Sequence, residues 1–309
     1  GNGVGYTSLR IRGSDATRIN VTINGIPYND SESHGVFWVN MPDLASSSSS
    51  IQVQRGVGSS TNGGGAFGGT VSIKTGNITE DFRVNYSSSA GSFKTFKNSL
   101  EINSGLIKEK VNFNLRLSKI NSDGYIDRSS SDLKSYYASA SYYGEKTVID
   151  LINFSGKEKT YQSWWGTPQS RIENDLDGMN AVIANNGYNN KQSENLLNSG
   201  RTFNYYLYEN ETDNYQQDHY QVHFNHEVSK NSNLHLALHY TYGRGYYEQF
   251  REDDNLFNYY NILENKEIDL VRRRWLDNHF YGITYSFFKK MDNGELNIGG
   301  AINEYDGDH

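Results

Sequence analysis

The sequence has no cysteine, only 3 prolines, and a hydrophobic fraction of 35% in 309 residues. Without cysteine there is no disulfide framework, no thiolate metal site and no cysteine nucleophile. No stretch approaches ~18 consecutive apolar residues, so no helix spans a membrane. That leaves membrane barrels open, because a barrel strand needs only ~9–11 residues with alternate ones apolar. The net charge is -7 and no long basic run exists. The short run Arg272-Arg273-Arg274 beside Trp275 reads as a solvated loop end and is too little for a nucleic-acid footprint. No Ser-His-Asp signature, HExxH or pair of catalytic carboxylates stands out, so an enzyme is not expected. No secretory leader is expected within this stretch, and the opening at Gly1 without Met and the ending at His309 in mid-pattern suggest a fragment.

Aromatic residues and glycine are abundant: 24 Tyr, 14 Phe and 30 Gly. An aromatic-rich, proline-poor, strongly polar chain suits extended sheets with one apolar face. Seven of the fourteen residues from Gly56 to Gly69 are glycine, between the alternating runs IQVQ and TVSIK. Gly63, Gly65 and Gly68 satisfy G-x-G-x-x-G, but that fingerprint requires a helix directly after it, and Thr70 to Thr75 alternates as a strand. A P-loop fails as well, since Gly64 stands where its lysine must be. Glycine here allows unusual backbone angles and close approach of chain segments.

Texture changes near Gly76 to Asp81. Before it lie short segments: SLRIR, then RINVTI followed by the tight-turn pair Asn24-Gly25, then IQVQ and TVSIK, together a small α+β domain over residues 1–77. After it, residues 78–309 hold about nine longer alternating segments. Val111, Phe113, Leu115 and Leu117 alternate with Asn112, Asn114, Arg116 and Ser118; Tyr220, Val222 and Phe224 alternate with His219, Gln221 and His223. Thr147 to Ser155 is apolar with no clear phase. Connections at Gly105–Lys108, Gly144–Lys146, Ser229–Ser232 and Lys289–Gly294 are short, whereas those at Ser122–Asp132, Gly156–Asn214 and Gly243–Arg273 are long. Short turns at one rim and long loops at the other describe an outer-membrane barrel, despite the short connection near Gly91–Lys94. A soluble β-sandwich explains the alternation but not strands near ten residues with aromatic ends and a loop of about sixty residues.

LRIRG, RINVTINGIPYND and IQVQRGVGSSTNGGGAFGGTVSIKTG, in this order, resemble the second half of the plug domain of TonB-dependent outer-membrane receptors. ESHGVFWVNMPDL resembles the version in Bacteroidetes members. The implied fold is mainly β: an N-terminal plug inside a transmembrane antiparallel β-barrel, of which this chain would supply the first part of about 22 strands. The resemblance implies active uptake, no catalysis and no cofactor. It implies as partners the TonB energy-transducing complex, outer-membrane lipid, a surface lipoprotein and a small nutrient. By family frequency that nutrient is an iron chelate, siderophore or haem; cobalamin and oligosaccharide are the alternatives within uptake, and a non-transporting adhesion or structural barrel the alternative outside it.

On the same resemblance, Gly13, Gly25, Gly56, Gly63, Gly65, Gly68 and Gly69 are architectural, and Arg12 and Arg55 pair with acidic residues of the barrel wall. Asn24 replaces a usual Asp and Gln52 a usual Glu, so one wall-pairing charge is lost. The loop Tyr28 to Asn40 lies where relatives place apical loops and offers Tyr28, Asp30, Glu32, His34 and Trp38 to a ligand, with Phe37 expected to pack inward. Trp164 and Trp165 contact ligand from the long loop or sit in an interfacial girdle. His223 is expected to face His239 across the turn near Asn231, but two histidines without a third ligand are weak metal evidence, so no metal site is expected.

Overall fold

A computed structural model describes residues 4–57, 66–76, 78–262 and 265–308. Two sheets form. The small one holds β1 (Ile19–Ile23), β2 (Ile26–Pro27), β3 (Ser48–Arg55) and β4 (Gly69–Thr75) in the order β2-β1-β4-β3. β1 and β4 pair in parallel at its centre, and β2 and β3 flank them antiparallel. Asn24 and Gly25 both have positive φ, 56° and 82°, the geometry of a tight hairpin turn between β1 and β2. Three short 3₁₀ turns, Ala16–Arg18, Trp38–Asn40 and Leu44–Ser47, are the helical content among the described residues of this unit.

The large sheet has nine antiparallel strands, each hydrogen-bonded to its neighbours in sequence. They are β5 (Arg83–Gly91), β6 (Thr95–Asn103), β7 (Val111–Ser122), β8 (Ser131–Tyr143), β9 (Thr147–Tyr161), β10 (Thr212–Ser229), β11 (Ser232–Asn255), β12 (Glu267–Met291) and β13 (Gly294–Asp308). Its burial pattern is inverted relative to a soluble protein. In β7, Asn112, Asn114, Arg116 and Ser118 are buried, while Phe113, Leu115 and Leu117 are exposed at 49, 38 and 47%. β10 repeats this, with His219, Gln221 and His223 inside and Tyr220 and Val222 outside. An apolar outer face over a polar inner one is the pattern of a barrel wall facing lipid.

The small sheet fills the concave side of this wall. Its core residues Ile19, Val21, Ile23, Val71 and Ile73 join one cluster with Tyr137, Ile152 and Phe154 of the wall. The phase of β9, not readable from sequence, is thereby resolved: Ile152, Phe154, Gly156 and Glu158 point inward. At Gly156 the two bodies approach closely. A Cβ there would overlap the Asn40 carbonyl and lie 2.7 Å from Pro42 Cδ.

Several expectations are corrected. At the described end of the glycine-rich stretch, Gly68 N–H donates to Arg18 O at 2.8 Å, and a Cβ on Gly69 would sit 2.6 Å from Gln54 O. Gly63 and Gly65 lie outside the described residues. Gly13, Gly25 and Gly56 all have positive φ. Arg12 and Arg55 form no ion pair among the described residues; the ion pairs between the two bodies have the opposite polarity, with Asp43 of the small unit meeting Lys97 and Arg116 of the wall. The register sets His223 opposite Ala237 rather than His239.

The long connections also contain more structure than expected. β11 and β12 run 24 and 25 residues, and Arg272 to Arg274 lie within β12 rather than in a loop. At ~3.3 Å per residue such strands far exceed the ~30 Å hydrocarbon layer. Their outer parts carry charged runs, Arg251 to Asp254 and Arg272 to Arg274, so the sequence pattern gives no apolar alternation there. Cross-strand pairs replace it: Arg273 Nε donates to Glu248 Oε2 at 2.7 Å, and its guanidinium lies over the Tyr246 ring. The long connection narrows to 162–211 and folds into α1 (Gln169–Glu173), α2 (Leu176–Asn186) and α3 (Asn190–Asn198) over a small core of Met179, Leu196 and Phe203. Asp175 caps α2, and Asn189 with Gln192 forms a capping box on α3.

Candidate functional site

A cavity of about 630 Å³ opens where the loop after β2 meets the wall and the 162–211 loop. The loop after β2 is held by one side chain. Asn29 accepts from Val21 N–H at 2.7 Å through Oδ1 and donates to the carbonyls of Ile19 and His34 at 2.8 and 2.9 Å. Beyond it, Asp30 Oδ1 accepts from the Glu32 and Ser33 amides, closing a turn that returns at His34 with φ 58°. Glu32 is thus presented at the tip. Tyr28 is half-buried, and its hydroxyl donates to Gln217 Oε1 of β10 at 2.7 Å. Burial pushes its phenol well above the ordinary value, so it remains a neutral donor.

The opposite wall comes from β9, the long loop and β11. Trp164 makes edge-to-face contacts with Tyr6, Tyr206 and Tyr247 at 5.9, 6.0 and 5.6 Å between ring centres. Gln162 anchors this turn, donating through Nε2 to Glu248 O at 2.8 Å. Tyr6 hydrogen-bonds Asp213. Burial pushes the Tyr206 phenol well up, again leaving a neutral ring.

Of the residues singled out in the sequence, Tyr28, Asp30, Glu32 and Trp164 line the cavity together. His34, Trp38 and Trp165 do not. Trp38 packs against the shared core, whereas Phe37, expected to pack inward, is 46% exposed and lines the cavity. Tyr6, Glu158, Asp213, Tyr215, Gln217 and Tyr247 were missed. One signal could have found three of them. In β10 the inward phase set by His219, Gln221 and His223 continues by twos to Gln217, Tyr215 and Asp213. Among the described residues no group of three or more His, Cys, Asp or Glu could hold a metal ion.

Residues 1–70 match the family model of the TonB-dependent Receptor Plug Domain. Solved structures match across nearly the whole chain. The Ferric-Catecholate import receptor Fiu from E. coli K12, open form, superposes with a TM-score of 0.67 at 14% identity, over 97% of this chain and 44% of that one. The siderophore receptor PiuA from Acinetobacter baumannii gives 0.64 at 14% identity, over 98% and 40%. The copper transporter OprC gives 0.67 at 15% identity, over 98% and 42%. The fold is that of the TonB-dependent receptors. No curated protein matches by sequence, and the chain spans less than half the length of these receptors. The small sheet corresponds to the plug, and the nine-stranded sheet to barrel wall.

Proposed function

We propose that this chain belongs to a bacterial outer-membrane receptor that imports a scarce nutrient, driven by TonB. Residues 1–77 act as plug and 78–309 as barrel wall, whose outer face of Phe113, Leu115 and Leu117 meets lipid. The observation behind this is that plug and wall build the cavity jointly: Tyr28, Asp30 and Glu32 come from the plug, Trp164, Tyr215 and Tyr247 from the wall. A ligand bridging both bodies biases how they sit against each other, which is the differential contact a two-state importer needs. Tyr28, Asp30, Glu32, Phe37 and Trp164 are the contacts assigned to ligand.

An iron chelate, siderophore or haem, is the nutrient we favour, because the similar structures include a ferric-catecholate importer and a siderophore receptor. The ESHGVFWVNMPDL segment supports a Bacteroidetes-type receptor, in which a surface lipoprotein would assist. The test is growth of a strain lacking the full-length receptor, starved of iron and given iron-siderophore or haem as the only source. A defect rescued by free iron supports the assignment. Growth equal to the parent, with no second receptor expressed, refutes it and moves cobalamin and glycans ahead.

A further inference from the structure

The cavity lining has an unbalanced charge. It contains four carboxylates, Asp30, Glu32, Glu158 and Asp213, and no Lys, Arg or His among the described residues. Glu158 is the most informative of them. It is 2% exposed and accepts from the Thr160 hydroxyl at 3.2 Å. Neither Glu158 nor Asp213 forms an ion pair among the described residues, although Asp218 and Glu248 of the same wall each meet an arginine. The cross-strand register sets Glu158 opposite Tyr215, with Asp213 two residues along the same face, so the two carboxylates are diagonal neighbours. A carboxylate buried without a cation is costly: it takes up a proton, and it ionises where something else supplies the positive charge.

Aromatic rings surround the same space. Tyr6, Tyr28, Phe37, Trp164, Tyr215 and Tyr247 all line it. Ring faces beside carboxylates favour cations twice, through the ring quadrupole and through direct charge. Arg274 lies over the Tyr247 ring at 5.7 Å without itself lining the cavity, so the protein already places a cation against one of these rings. An anionic chelate would find no Lys, Arg or His in this lining to pair with.

We infer that the cavity selects a ligand of net positive charge, an ammonium-bearing molecule or a positively charged metal chelate, whose cationic group takes the place beside Glu158 and Asp213. This rests on the assignment of this cavity as the import site and specifies its ligand class.

The experiment is equilibrium binding to the purified full-length receptor near neutral pH, read by calorimetry and tryptophan fluorescence. Two pairs matched in structure but differing in charge serve as probes: a ferric trihydroxamate with a free terminal ammonium against its N-acetylated form, and chitotriose with free amines against fully N-acetylated chitotriose. A ferric tris-catecholate is the anionic control. In whichever pair binds, the cationic member is expected to bind at least about tenfold more tightly, and Glu158→Gln to erase that ratio. Asp213→Asn is the second neutralising variant, used if the first does not assemble. The inference is overturned if a neutral or anionic probe ties or wins, if both variants keep the ratio, or if no probe binds at millimolar concentration. Chitotriose binding with failure of both ferric chelates keeps the charge inference and removes the iron assignment, so the two fail separately.

Discussion

Asp43 carries the ion pairs between the small unit and the wall. Its side chain is 4% exposed and adopts a left-handed backbone, φ 61°. It accepts from Lys97, from Ser46 Oγ at 2.5 Å, from Ser118 Oγ at 2.7 Å and from Arg116 Nη1 at 3.3 Å. Arg116 is 3% exposed and also donates to Ser47 and Ser135. Asp43→Ala leaves the Arg116 charge buried without its partner while the plug is seated. That charge regains water when the plug leaves. Breaking one side of a buried pair costs about 3–5 kcal/mol, so the seated state should lose about two to three and a half orders of magnitude in its equilibrium. The assay is single-channel conductance of the full-length receptor in planar bilayers, which reads plug displacement directly. Asp43→Leu combined with Arg116→Met, which removes both charges, should restore most of the seating. Unchanged conductance in Asp43→Ala, or a double variant as leaky as the sum of the singles, would refute the reasoning. The pair also predicts a pH response. Burial pushes the Asp43 carboxyl up, but hydrogen bonds from Lys97, Ser46 and Ser118 and the charge of Arg116 outweigh it and hold the carboxyl below its usual range. A depressed folded value means the stabilisation is full above the unfolded value near ~3.9 and is lost as pH falls through the folded one. Conductance should therefore rise only at strongly acid pH, and Asp43→Ala should be insensitive there.

Three further outcomes follow from the geometry. Gly156→Val on β9 drives a side chain into the Asn40 carbonyl and Pro42; it should raise conductance as Asp43→Ala does, at a cost of about 1–3 kcal/mol, while leaving barrel assembly by gel mobility unaltered. Asn29→Ala removes all three bonds holding the apical loop and should weaken ligand binding at least about tenfold with little change in melting temperature. Burial raises the Glu211 carboxyl to about 7 against the Tyr208 amide and the charges of Arg251 and Arg128. An acid raised on folding binds extra protons when folded, so the long loop should lose up to roughly 3 kcal/mol as pH rises from ~4.3 through 7. Glu211→Gln should make proteolysis of residues 162–211 equal at pH ~5 and ~8; an unchanged pH difference would exclude Glu211 as its source.

What the sequence determines by itself is local and periodic. Period-two alternation from Val111 to Ser118 or Tyr220 to Phe224 specifies strands with one apolar face, and Asn24-Gly25 specifies a tight turn, because each depends on residues a few positions apart. Alternation leaves open which face is inside: Ile152 and Phe154 point inward only because the plug core of Val21 and Ile73 lies there. The outer halves of β11 and β12 were hidden, since their charged runs break the apolar alternation. Tertiary structure alone brought together Tyr6 with Asp213, Asp43 with Arg116 and Tyr28 with Gln217. Such pairs lie 73 to 207 residues apart, and the register of a whole wall of strands, which no local pattern encodes, sets which of them meet.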